Sequence, residues 1–291
     1  MHKPVLLNEV IKYLDPKPGE NFIDCTVGEA GHSLAILQKT ESIGKVLGID
    51  ADFESLQRIK PQDGFILVNG NFRDLKRIAE KHNFYPIDGI LFDLGLSSWQ
   101  IEESKRGFSF RNDEQLDMRF QLKTGSSRAE TAEEIINQWP EKELTEIFKK
   151  YGEEKFSFRI AKGIVQEREN NLIKTTGHLR EIILKFVPYG YTRRGKEGRV
   201  LARIFQALRI AVNDELENLK IGLEKSLEIL KPRGRIVVIS FHSLEDRIVK
   251  NFFRGNESLK ILTKKPIVAS EDETMSNPRS RSAKLRAAIK S

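Results

Sequence analysis

The sequence is poor in the features that hold secreted or membrane proteins together. It has one cysteine, Cys25, in 291 residues, so no internal disulfide can form, and the chain fits a reducing compartment. No apolar run approaches the length of a membrane span. The opening stretch has no long apolar core and no small-residue cleavage site. Its Val5, Leu6, Val10, Ile11 and Leu14 are interrupted by Asn8, Glu9 and Lys12, which reads as a short amphipathic helix and not as a signal peptide. These absences predict a cytoplasmic protein with no membrane partner. His2, His32, His82 and His178 show no zinc-ligand spacing, and with a single cysteine no metal site is expected. Internal repeats and low-complexity tracts are also missing.

What is present is a globular composition, 39% hydrophobic and 31% charged, with 49 basic residues against 42 acidic ones for a formal charge of +7. That excess suits a polyanionic partner without requiring one. Short apolar runs alternate with helical stretches: 21–26, 45–50, 65–69 and 87–93 read as buried strands separated by helices. This is the pattern of a parallel sheet covered on both faces. From about 108 to 203 the rhythm stops and short helices take over, among them one capped by Thr131 and Glu134. A long amphipathic helix over 205–230, a turn at Lys231–Gly234 and a fifth strand over 235–240 restore the alternation, with weaker strands at 259–269 and 284–290. The expected architecture is an α/β domain, 1–107 with 204–291, interrupted by an inserted helical domain, 108–203.

Ligands of open parallel sheets bind beyond the carboxyl ends of the strands, where strand order reverses. After the first strand, Gly28 and Gly31 allow a sharp turn and close backbone approach. Asp50 ends the second strand 19 positions beyond Gly31, near the spacing at which an acid meets ribose hydroxyls, and Asp93 ends the fourth. Together they predict a nucleoside-type ligand, although each aspartate also suits a helix cap. Glu29 in the middle of the turn would repel a pyrophosphate, and the glycine pattern of a dinucleotide site is incomplete. Both features favour S-adenosylmethionine, which carries a positive sulfonium, over NAD.

Several strings resemble the bacterial 16S rRNA cytosine-N4 methyltransferases of the RsmH (MraW) family. They are 2–9 (HKPVLLNE), 24–33 (DCTVGEAGHS), 88–98 (DGILFDLGLSS), 106–110 (RGFSF), 116–119 (LDMR), 205–210 (FQALRI), 240–247 (SFHSLEDR) and 277–282 (NPRSRS). The resemblance implies a class I, Rossmann-like S-adenosylmethionine-dependent methyltransferase fold with a mostly parallel doubly wound sheet and an inserted helical domain for substrate recognition. It also implies methylation of a cytidine in the decoding region of 16S rRNA, within the small ribosomal subunit. By position, cofactor contacts carry over to Ala30, Gly31, His32, Asp50, Phe72, Asp93 and Gln100, with Gly28 in the same loop. Ala30 stands where the family often has glycine, and Glu29 where it often has a basic residue or glycine.

Methyl transfer from sulfonium to nitrogen is an in-line displacement, so placement supplies much of the acceleration. Cytosine's amino lone pair is delocalised into the ring, and an acceptor on its hydrogens would free it for attack. The Asp/Asn-Pro-Pro-aromatic motif used by many amino-methyltransferases is replaced here by Asp93-Leu94-Gly95-Leu96. The candidate catalytic residues are therefore Asp93, or the carbonyls after it, with Ser97 nearby and His242 facing the base from the fifth strand. His242 reads equally well as a hydrogen-bonded turn residue.

Residues 191–203 carry a net +4, with Arg193, Arg194, Lys196 and Arg199 as candidate phosphate contacts; residues 254–291 carry a net +5, including Arg279 and Arg281. Tyr189 and Tyr191 are candidates for stacking on exposed bases, and a target cytosine would have to be unpaired or flipped out. Three alternatives stay open: a methyltransferase acting on another RNA, one acting on a protein or small molecule, and a non-catalytic RNA-binding module. A homodimer is also compatible with the sequence.

Overall fold

The computed structural model describes residues 3–41, 43–121, 130–192 and 197–291. In chain order the elements begin α1 (Leu7–Leu14), β1 (Phe22–Asp24), α2 (Gly31–Lys39), β2 (Val46–Asp50), α3 (Phe53–Gln57), β3 (Phe65–Asn69), α4 (Leu75–Lys81) and β4 (Ile87–Asp93). Seven helices follow: α5 (Ser98–Glu102), α6 (Ala132–Gln138), α7 (Glu141–Lys150), α8 (Ser157–Arg168), α9 (Thr176–Phe186), α10 (Tyr189–Thr192) and α11 (Glu197–Asn213). The chain ends with α12 (Glu215–Ile229), β5 (Leu230–Ser240), α13 (Ser243–Gly255), β6 (Leu259–Ile261), α14 (Glu271–Ser276) and β7 (Lys284–Lys290). Short 3-10 turns cover Phe72–Asp74 and Pro278–Ser282. Two compact units result, Met1–Leu96 with Leu216–Ser291, and Ser97–Glu215.

The first unit is built on a seven-stranded sheet of order β3-β2-β1-β4-β5-β7-β6. Strands β1 to β5 pair in parallel, and β7 runs antiparallel to β5 and β6. Side chains alternate across a strand, and here both sides are apolar. Ile23, Leu47, Ile49, Ile90, Phe92, Ile236 and Val238 pack with Leu75 and Ile78 of α4, Leu219 and Leu223 of α12, and Val249 and Phe253 of α13. Their neighbours Phe22, Val46, Leu91, Val237 and Ile239 pack with Val10 and Leu14 of α1 and Ile36 and Leu37 of α2. This is why these strands read as continuous apolar runs.

The second unit buries Ile135, Ile136, Leu144, Phe148, Ile160, Ile164, Leu179 and Ile183 from α6 to α9. Thr131 and Glu134 form the expected reciprocal cap: the Thr131 hydroxyl accepts from the Glu134 N–H, and the Glu134 carboxylate accepts from the Thr131 N–H.

Three features differ from the sequence reading: the division into units, one helix and one turn. The units divide at Leu96/Ser97 and Glu215/Leu216, where the pattern places the change at 107/108 and 203/204. The helix read over 205–230 breaks at Asp214, which has φ 49°, so α11 and α12 are separate although their apolar spacing continues. The turn at Lys231–Gly234 is an excursion inside β5: Ile87 pairs with Leu230, and the next pair, Gly89 with Arg235, has shifted register.

Gly89 has no room for a side chain. A Cβ there would lie 2.7 Å from two ring carbons of the buried Phe22 and 3.1 Å from Leu14. Gly89→Ala should destabilise the protein by about 1–3 kcal/mol through overpacking, read as a lower midpoint in urea unfolding.

Candidate active site

Strand order reverses between β1 and β4, so the switch point lies beyond their carboxyl ends. Three strands end there in acids: Asp24 on β1, Asp50 on β2 and Asp93 on β4. The Asp93 peptide N–H donates to the Thr26 hydroxyl at 2.7 Å. The Thr26 N–H in turn donates to Asp24 Oδ1 at 3.1 Å, while Asp24 Oδ2 accepts from the Ser33 hydroxyl at 2.6 Å. Burial raises the Asp24 pKa; the Ser33 hydrogen bond, the nearby His32 and the Thr26 amide offset only part of that rise.

Asp50 holds the turn that follows β1. Its Oδ2 accepts from the Gly28 N–H and its Oδ1 from the Asp52 N–H, both at 2.8 Å. Burial pushes its pKa up to about 6 despite these two bonds. Gly28 turns the chain with φ 51°. A Cβ on Gly31 would meet Pro4 Cγ at 2.4 Å, so its missing side chain also admits the N-terminal segment. His32 is buried, with Nε2 2.9 Å from the Val5 carbonyl and Nδ1 3.4 Å from Asp93 Oδ2. The other Asp93 oxygen, Oδ1, is buried without a hydrogen-bond partner among the described residues.

The remaining candidates are placed as follows. Phe72 lies just past β3, its ring edge-on to Phe92 at 5.5 Å and close against Gly222. Ser97 and Gln100 belong to the second unit, where they form the capping box of α5. His242 is the N-cap of α13. Its ring accepts from the Glu245 N–H at 3.4 Å, and the Glu245 carboxylate accepts from the N–H groups of Phe241 and His242. This geometry accounts for His242 as a turn residue. Arg199 is exposed on α11, Arg281 is exposed on the 3-10 turn Pro278–Ser282, and Arg279 beside it is half-buried. Arg193, Arg194 and Lys196 lie outside the described residues, as does His2. Tyr191 is already engaged. Lys155 Nζ lies 4.0 Å from its ring centroid, Phe156 meets its ring at 4.8 Å, and its hydroxyl accepts from Arg203 at 3.0 Å. Tyr189 is 74% exposed.

Sequence reasoning missed Asp24, Thr26 and Ser33. Asp24 closes an apolar strand just as Asp50 and Asp93 do, and that signal was available. The Val5 carbonyl carried none, because a backbone acceptor has no residue signature.

Residues 1–291 match the MraW methylase family. The chain belongs to that family. It is 44% identical to a protein of Carboxydothermus hydrogenoformans named ribosomal RNA small subunit methyltransferase H, over 99% of this chain and 97% of that one. A protein of the same name from Thermomicrobium roseum is 44% identical over 99% and 93%. A third, from Halothermothrix orenii, is 43% identical over 99% and 97%. The mostly parallel doubly wound sheet implied by the resemblance is the fold observed, and the chain is a methyltransferase by family. Among the described residues no helix is long and apolar enough to cross a membrane.

Ala30 carries backbone strain. It is the N-cap of α2 with φ 63° and ψ 13°, a left-handed conformation that costs an L-residue roughly 1–2 kcal/mol and glycine nothing. Ala30→Gly should raise stability by about 0.5–1 kcal/mol, part of the gain being offset by glycine's extra freedom when unfolded. A higher midpoint in denaturant unfolding checks it.

Proposed function

We propose that this methyltransferase modifies N4 of a cytidine in the decoding region of 16S rRNA, with S-adenosylmethionine as the donor, on the small ribosomal subunit in the cytoplasm. The observation that carries the reading is the partnerless, buried Asp93 Oδ1 at the switch point of a sheet whose neighbouring strand ends are also acidic. The names of the relatives support the ribosomal substrate.

The residues fit the donor. S-Adenosylmethionine, when bound, supplies an electrophilic methyl on a positively charged sulfur. Acidic strand ends favour such a cation and disfavour a pyrophosphate. Each Asp50 oxygen has spent one lone pair on a backbone amide, leaving the other for a ribose hydroxyl. Gly28, Ala30, Gly31, His32, Asp50, Phe72, Asp93 and Gln100 are the residues we assign to the cofactor. Asp93 is the candidate acceptor for the amino hydrogens of the target base, with Ser97 and His242, each the N-cap of a helix, as secondary candidates. We assign the helical unit to substrate recognition, and Arg193, Arg194, Lys196, Arg199, Arg279 and Arg281 to RNA phosphates.

Two measurements test this reading. Labelled S-adenosylmethionine incubated with small subunits lacking their native methylation should place label in N4-methylcytidine, and Asp93→Ala should abolish it. Label in a protein, or in no RNA, overturns the substrate assignment. The second is the pH dependence of cofactor affinity. Hydroxyl donors bind the ionised carboxylate better, so affinity should rise about tenfold per pH unit up to about 6, the pKa of Asp50, and gain nothing more from Asp50 above it. Asp50→Asn should flatten that slope; calorimetry across pH 4.5–8 reads both.

A further inference from the structure

His32 sits between two acceptors. A peptide carbonyl can only accept, so the 2.9 Å contact between Nε2 and the Val5 oxygen places a hydrogen on Nε2. A neutral ring would then turn its Nδ1 lone pair toward the Asp93 carboxylate, 3.4 Å away. Lone pair against carboxylate is repulsive; a second N–H there makes a charged hydrogen bond. The groups acting on the ring agree with this. Asp93 from β4 and Asp24 from β1 are both acidic, and the N-terminal segment contributes the Val5 carbonyl. Burial opposes the charge, yet these partners together raise the His32 pKa above its ordinary value.

The carbonyl side of this contact is itself anchored. Pro4 fills the space above Gly31. The Leu6 N–H donates to Glu273 Oε1 at 2.7 Å, Asn277 donates to the Lys3 carbonyl at 3.0 Å, and Lys3 Nζ donates to the Ser276 hydroxyl at 3.1 Å. Residues 3–6 thus form a strap held by α14 and the residue after it, and the strap's one carbonyl on the ring fixes which way the imidazole faces.

We propose that His32 is a positioning residue. Held as an imidazolium between the strap and Asp93, it fixes the Asp93 carboxylate through Oδ2 so that Oδ1 stays turned to the ligand. The ring's charge and its two contacts belong to the free protein; the ligand seen by Oδ1 rests on the methyltransferase reading. Sequence position makes His32 a cofactor contact, and its ring in addition acts through Asp93.

The test reads the proton directly. In protein labelled with 15N-histidine, long-range proton–nitrogen correlation should find both His32 nitrogens keeping their protons to a higher pH than an ordinary histidine does. Asp93→Asn should leave the ring neutral with hydrogen on Nε2 alone, because burial then acts unopposed and the amide can donate to Nδ1. A singly protonated ring in the wild type, or an unchanged titration in Asp93→Asn, overturns the proposal. S-Adenosylmethionine affinity should fall as pH rises through the His32 titration seen by NMR, and His32→Gln should weaken binding about tenfold to a hundredfold and remove that alkaline loss. Affinity that stays flat while the proton leaves also overturns the positioning role. If no methyl transfer is found but the ring is doubly protonated and linked to affinity, the functional reading fails and the positioning role stands.

Discussion

The Asp93 N–H bonded to the Thr26 hydroxyl ties the ends of β1 and β4 together where they would otherwise diverge. Parallel strands separate beyond their last ladder bond, here Cys25 N–H to the Leu91 carbonyl, and that separation makes the crevice of a doubly wound sheet. With the two ends pinned by one hydroxyl, Asp24 and Asp93 lie close enough to feel each other's charge. A buried acid and a half-buried one at such a distance need a cation or strong donors between them. The first turn of α2 provides both: Ser33 donates to Asp24, and His32 faces Asp93. The helix start is therefore as much a part of the site as the strand ends, and its register follows from Gly28 and Ala30 in left-handed conformations just before it.

The crevice is acidic in a chain whose formal charge is +7. The two facts suit different parts of one reaction. A sulfonium donor is a cation and is favoured among carboxylates, whereas an RNA backbone would be repelled by them and needs the basic surface carried elsewhere in the sequence. Acid at the reacting centre and base at a distance would let a polyanion bind while only a neutral base enters. The same acids that repel a phosphate also offer the acceptors an amino group needs.

The sheet was legible because burial on both faces leaves no choice but continuous apolar runs, and β3 and β4 lie where those runs lie. The break at Asp214 was not, because a single left-handed residue leaves the spacing of Val212, Leu216 and Leu219 intact while ending the helix. The bulge in β5 reads as a turn, since Pro and Gly mark an interruption without saying that pairing resumes on the same strand. In the site, Asp50 and Asp93 were readable from strand ends. The engagement of Tyr191 by Lys155, Phe156 and Arg203 was not, and neither was the strap, whose bond from Leu6 to Glu273 spans most of the chain. Side chains that close over a site from distant sequence leave no periodic trace.

The site is costly to the fold that carries it. Because the Asp50 pKa is raised on folding, the folded state holds its proton more tightly than the unfolded one. The penalty is absent below about pH 4, grows as pH rises, and reaches roughly 2–3 kcal/mol once pH exceeds about 6. Ala30 adds backbone strain, and Asp93 Oδ1 adds an unpaired buried acceptor. In a protein of ordinary marginal stability these are large fractions of the total. A core packed on both faces of seven strands can carry them, and each cost has the form that a suitable ligand removes: hydroxyl donors for Asp50, a cation or an amine for Asp93. A site assembled this way is poised so that binding returns what folding withheld, and affinity then comes from relief of the protein's own strain as well as from new contacts.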